Sequence, residues 1–192
     1  MPYAPRIEEV GRYYHVGSNA VDGMKLFRCD EDRSAFLGLL EKEIRRSEWR
    51  CLAYCLMSTH FHVLIRLEKC TLASGMQRLN SSYARAFNRN YGRRGALFQR
   101  RYFDRLIETT SHLLEATRYI ARNPTRVDLS PVPQDYQWSS YGATIDGERS
   151  DPLIDEGEIL GLFGSSPDEG RQRLRAFVEE PDLRKRRSQT PL

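Results

Sequence analysis

The chain has 192 residues, room for one ordinary domain with an appendage and too few for two full domains. With 40% hydrophobic and 29% charged residues it can bury a real core, which excludes wholesale disorder and the fibrous classes. The formal net charge is +4, no apolar stretch approaches the length of a membrane span, and Met1 to Arg12 carries prolines and charges where a signal peptide needs an apolar run. A protein that is neither exported nor membrane-anchored is expected.

The first element is a short strand, Tyr13 to Gly17, followed by a loop with Asn19, Asp22 and Gly23. Asp30 can cap a helix running to about Ser47, with Phe36, Leu37, Leu40 and Ile44 as its buried stripe. Cys51 to Met57 is apolar throughout and predicts a central strand. Ser58 and Thr59 break it before a second strand, His60 to Leu67, so the two should form a hairpin. Met76, Leu79, Tyr83 and Phe87 recur at helical spacing and predict a helix over about Leu72 to Asn90. Gly92 and Gly95 open a basic loop, Tyr102 to Glu108 resembles a fourth strand, and a third helix is expected from Ser111 to about Arg122. That helix is expected to stop near Asn123, because Pro124 disfavours helical geometry in the residue before it.

Strand, helix, strand, strand, helix, strand, helix is the order of a split β-α-β, ferredoxin-like α+β fold: an antiparallel sheet with helices on one face and one added helix. Pro131 to Pro152 is turn-rich, Ile154 to Val178 can form one or two short helices, and the basic tail from Arg184 to Leu192 is expected to be mobile. This suggests a domain over 1–145 and an extension with a basic tail over 146–192.

The cysteines, Cys29, Cys51, Cys55 and Cys70, fit no zinc spacing. Cys51 and Cys55 lie in one strand, roughly 13 Å apart and beyond disulfide reach, so reduced and mostly buried thiols are expected. The basic charge is concentrated instead. Between residues 78 and 105 stand Arg78, Arg85, Arg89, Arg93, Arg94, Arg100, Arg101 and Arg105, opposed only by Asp104. All are arginine, whose planar fork suits phosphate, so this segment is the candidate nucleic-acid contact.

His60 and His62 stand two apart at the start of a strand, so the pleat sends both imidazoles to one face while Phe61, Val63, Ile65 and Leu67 face the core. Two such histidines lack one or two further ligands for a metal site, and by themselves a structural pair is the commoner meaning. Tyr119 and Asn123 are one helical turn apart on the last helix. If that helix crosses the histidine face, Asn123 can donate its amide oxygen to a cation beside Tyr119. A packing tyrosine followed by a helix-ending asparagine is the plainer alternative.

Taken together the segments resemble the REP-associated tyrosine transposases of the single-tyrosine HUH superfamily, where U is a large hydrophobic residue. The resemblance runs over roughly residues 12–145. It is carried by Tyr14-His15-Val16, Cys55-Leu56-Met57-Ser58-Thr59-His60-Phe61-His62, and Met76-Gln77-Arg78-Leu79 with Tyr83 and Phe87-Asn88. It continues through Gly95 to Arg101-Tyr102-Phe103, then Tyr119-Ile120-Ala121-Arg122-Asn123-Pro124 and Trp138-Ser139-Ser140-Tyr141. Thr59 stands where the family usually has asparagine. The resemblance implies that His60, His62 and Asn123 ligate Mg²⁺ or Mn²⁺ and that Tyr119, on the added helix, is the nucleophile. The implied substrate is single-stranded or hairpin DNA, with a 5′-phosphotyrosine intermediate. It further implies a cytoplasmic, nucleoid-associated protein, a monomer or a homodimer.

Tyr83 is the strongest rival nucleophile, although its place in the apolar stripe argues for burial. His15 and His112 are expected to be hydrogen-bonded rather than ligating, Glu115 a solvated carboxylate, and Trp138 and Tyr141 either base-stacking or packed. A nucleic-acid-binding regulator without cleavage, and a phosphoesterase using activated water, are the alternative functions.

Overall fold

In the computed structural model, residues 8–180 are described. The leader before them and the basic tail from Arg184 onward lie outside the described residues. Four strands, β1 (Tyr13–Asn19), β2 (Trp49–Leu56), β3 (His60–Leu67) and β4 (Phe103–Ile107), form one antiparallel sheet in the order β2-β3-β1-β4. The helices are α1 (Asp30–Ser47), α2 (Leu72–Asn90), α3 (Thr110–Arg126), α4 (Tyr141–Asp146), α5 (Glu156–Gly161) and α6 (Pro167–Glu179). This is the expected α+β, ferredoxin-like arrangement.

Alternation along the strands builds the two faces. On one, Val16 and Phe61 are fully buried against α1 and α2, and the rings of Phe27, Phe36, Phe61 and Tyr83 interlock there at centroid separations of 4.5–5.6 Å. α2 buries the stripe Leu72, Met76, Leu79, Tyr83, Phe87, as its spacing requires. α1 opens on Asp30, Glu31 and Asp32 and ends on Arg45 and Arg46, charges placed to oppose its dipole.

The other face carries α3, docked through Leu113, Ala116, Thr117, Ile120 and Ala121. Its start is capped by Thr109, whose hydroxyl accepts the His112 amide. Its end corrects the expectation drawn from Pro124, for the helix continues to Arg126. A proline in the last turn forfeits one hydrogen bond. Asn123 and Pro124 are both buried, so packing holds the helical geometry.

β2, expected from its apolar run to be central, is an edge strand, and it is buried because the segment around Trp138-Ser139-Ser140-Tyr141 covers its outer edge. The Leu56 amide donates to the Trp138 carbonyl, the Tyr54 amide to Ser140 Oγ, and the Tyr136 hydroxyl to the Leu56 carbonyl. Tyr141 is buried and Trp138 packs against Arg33, so these aromatics serve packing. Cys51 and Cys55 are buried free thiols, while Cys29 is half-buried and Cys70 exposed, fewer buried thiols than expected. Among the described residues no helix is long and apolar enough to cross a membrane.

Candidate active site

Register places the functional side chains. Gly17 lies opposite His62 and Asn19 opposite His60 across the β1–β3 pair, while His15 faces Arg105 and Gly17 faces Phe103 across the β1–β4 pair. Alternation therefore sends His15, Asn19, His60, His62, Phe103 and Arg105 to the face that α3 crosses. From α3 come His112, Glu115, Arg118, Tyr119 and Arg126. Together they line an open cleft of about 590 Å³.

Within it the Tyr119 ring stands 5.4 Å from that of His62 and 5.7 Å from that of His15, centroid to centroid, and Tyr119 is 36% exposed. The Arg126 guanidinium lies over the Tyr119 ring at 4.8 Å, two turns further along α3. Tyr83 is on the opposite face, buried, with its hydroxyl donating to the Leu26 carbonyl. Burial pushes its phenol up, and its hydroxyl is outside the cleft.

The His60 and His62 rings are 4.9 Å apart and nearly perpendicular. His60 Nδ1 is hydrogen-bonded to Thr59 Oγ1 at 3.1 Å, so threonine supplies a side-chain partner at the position of the family's asparagine. His62 Nδ1 is 2.9 Å from His15 Nε2, and His62 Nε2 is buried with no partner among the described residues. Burial holds His60 below the usual histidine range. It holds His62 well below, with further lowering from His15 and His60. His15 is lowered to about 4 by burial, then by Arg105 and His112. Each shift favours the neutral form, in which an imidazole offers a lone pair.

Among the described residues no three His, Cys, Asp or Glu side chains gather closely enough to hold an ion by themselves. Two neutral imidazoles are borderline donors that admit a divalent cation when amide, water or phosphate oxygens complete its shell, and the buried, unpartnered Nε2 of His62 is an atom such an ion would satisfy. Asn123 is buried one turn beyond Tyr119, its amide nitrogen is unpartnered, and it does not line the cleft. Glu115 does line it, half-exposed and ion-paired with Arg118.

The arginine segment divides. Arg78 is committed to the Glu43 carboxylate and to Ser47 Oγ between α2 and α1, so it is a structural cation rather than a phosphate contact. The half-buried Arg93 donates to Asn88 Oδ1. Arg85, Arg89 and Arg94 are exposed, and Arg105 lines the cleft. Arg100 and Arg101 border a second groove of about 650 Å³ on the α2 side, with Met76, Gln77, Asn80 and Phe98.

Sequence reasoning missed Arg118 and Arg126, whose only signal was their position beside and two turns beyond Tyr119. It also gave no site role to Asn19 or Phe103, which the pairing register brings to the cleft. Arg118 is anchored, donating to the Phe177 carbonyl and pairing with Glu180.

The sheet thus presents the paired histidines to the tyrosine of α3 across one cleft. Residues 13–123 match the family described as transposase IS200-like, more than half the chain, and the chain belongs to that family of transposases. The fold is shared with a solved REP-associated tyrosine transposase bound to a REP hairpin. The match has a TM-score of 0.65 at 15% identity, over 81% of this chain and 94% of that one. A tRNA(His) guanylyltransferase from Saccharomyces cerevisiae superposes with a TM-score of 0.44 at 10% identity, over 95% of this chain and 86% of that one, too loosely to carry an argument. No curated protein matches the sequence.

Proposed function

We propose that the protein is a metal-dependent endonuclease and strand transferase acting on single-stranded or hairpin DNA through a 5′-phosphotyrosine intermediate. The observation that carries the reading is the meeting of Tyr119 with the His60–His62 pair in one open cleft. His60, His62 and Asn123 would hold Mg²⁺ or Mn²⁺, which when bound polarises the scissile phosphate. Glu115 is the competing third donor because it lines the cleft. Mn²⁺ binding kept in Asn123→Ala and lost in Glu115→Ala would transfer the assignment.

Tyr119 Oη attacks phosphorus in line, the bond from phosphorus to the 3′-oxygen breaks, and the phenolic proton leaves to solvent as the departing 3′-oxygen takes one up. The 5′-phosphate is then held on the tyrosine as a diester. Attack by another 3′-hydroxyl reverses the step and joins a new strand without a nucleotide cofactor. Arg105 and Arg126 put positive charge on the cleft where the phosphate and the phenolate develop theirs. The exposed Arg85, Arg89, Arg94, Arg100 and Arg101 contact the flanking backbone. In this division residues 1–145 carry the chemistry, and the extension from 146 braces α3 through the Arg118 contacts.

Incubating the protein and Mn²⁺ with a 3′-labelled hairpin oligonucleotide tests the reading. A denaturation-resistant protein–DNA band is expected in wild type and absent in Tyr119→Phe. Hydrolysis surviving in Tyr119→Phe with no band would indicate the phosphoesterase, and salt-sensitive binding without cleavage the regulator.

A further inference from the structure

We propose that His15 is a positioning residue that fixes the tautomer and aim of His62, so that Nε2 of His62 presents its lone pair to the cation. The inference rests on the reading of His60 and His62 as ligands given above. Three observations carry it. His15 and His62 are diagonal neighbours on one face of the β1–β3 pair, His15 two residues from the Gly17 that faces His62, and their side chains close to 2.9 Å between His15 Nε2 and His62 Nδ1. His62 Nε2 is buried and unpartnered. Phe103 packs edge-on against His15 at 5.4 Å and tilted against His62 at 5.6 Å, holding both rings in place.

The hydrogen bond can be made in two ways. If His62 carries its proton on Nε2, that N–H is a buried donor with no acceptor. If it carries the proton on Nδ1 and donates to His15 Nε2, the buried Nε2 is a lone pair, the only arrangement in which a cation satisfies the orphaned atom. His15 then plays the part that a carboxylate or carbonyl plays behind many metal-bound histidines, orienting the ring and raising its basicity. It is not itself a ligand in this account, because its Nε2 is already spent on His62.

The test uses two readouts on the full chain. Nitrogen-15 NMR of histidine-labelled, metal-free protein should show His62 as the Nδ1–H tautomer, reverting towards Nε2–H in His15→Phe, which keeps an aromatic ring without an acceptor. Mn²⁺ titration followed by electron paramagnetic resonance should show affinity falling about 10- to 100-fold in His15→Phe. His15→Gln, whose amide oxygen can accept the bond, should recover part of the loss, and thermal melts verify folding. Wild-type protein with His62 in the Nε2–H form overturns the proposal, even if His15→Phe fails to fold. So does His15→Phe binding Mn²⁺ as wild type does while His62→Ala does not. If His62→Ala binds as wild type does, it is the ligand assignment that fails, and the tautomer measurement still decides whether His15 orients the ring.

Discussion

Gly17 shows how closely the site depends on single atoms. A Cβ at this position would stand 2.1 Å from the Phe61 carbonyl oxygen and 2.7 Å from the Phe103 ring, the ring that abuts both His15 and His62. Gly17→Ala is therefore expected to destabilise the protein by about 1–3 kcal/mol through overpacking, read from denaturant unfolding, and to displace the histidine resonances in NMR. Unchanged stability and spectra would show that the strand can relax. Residues whose meaning is local were legible in the sequence. His60 and His62 share a face by strand alternation alone, and the apolar stripe of α2 already argues for the burial of Tyr83. Residues whose meaning depends on distant partners were not. Arg78 reads as a free cation until Glu43 is folded against it, and the hydrogen bond between His15 and His62 spans a register that no local pattern encodes.

At the scale of elements, α1, α2 and β3 run as their patterns predict because their apolar spacing decides them, although the cap expected of Asp30 is not made: Cys29 holds the N-cap position of α1, and neither α1 nor α2 has a side-chain cap hydrogen bond. α3 outruns its proline because tertiary burial outweighs a lost hydrogen bond. Where one or two short helices are expected late in the chain, two form, α5 and α6, and Asp155 ties the first of them to the sheet. Its Oδ1 accepts the Glu158 amide at the start of α5, and its Oδ2 accepts from Arg50 on β2 at 2.6 Å. Burial alone would raise this carboxyl, but the amide and the guanidinium outweigh it and hold it below its ordinary 3.8. A carboxyl that titrates lower when folded contributes its stabilisation fully above its unfolded value and loses it as pH falls through the folded one. Asp155→Asn should thus cost up to about 1 kcal/mol at neutral pH, and the gap to wild type should close below about pH 4. A gap independent of pH in urea melts would contradict this account of Arg50.

For the whole molecule, the decisive feature is that the histidines of β3 and the tyrosine of α3 in one chain reach the same cleft. Neither composition nor motif spacing distinguishes that arrangement from an exchange of tyrosine helices between two copies. Mixing Tyr119→Phe protein with His60→Ala, His62→Ala protein is accordingly expected to restore no cleavage, since each chain would carry one broken site. Recovery towards a quarter or half of wild-type activity, the order expected from statistical mixing of subunits, would instead indicate a site shared between chains.

The central claim is that Tyr119 Oη is the atom that takes the DNA, and it can be read directly. Trypsin cutting after Arg118 and Arg122 isolates the peptide Tyr119-Ile120-Ala121-Arg122. After reaction with a hairpin oligonucleotide and Mn²⁺, nuclease digestion and mass spectrometry, the account predicts this peptide carrying a nucleotide through its tyrosine. A nucleotide on any other tyrosine, or cleaved DNA with every tyrosine unmodified, would contradict it.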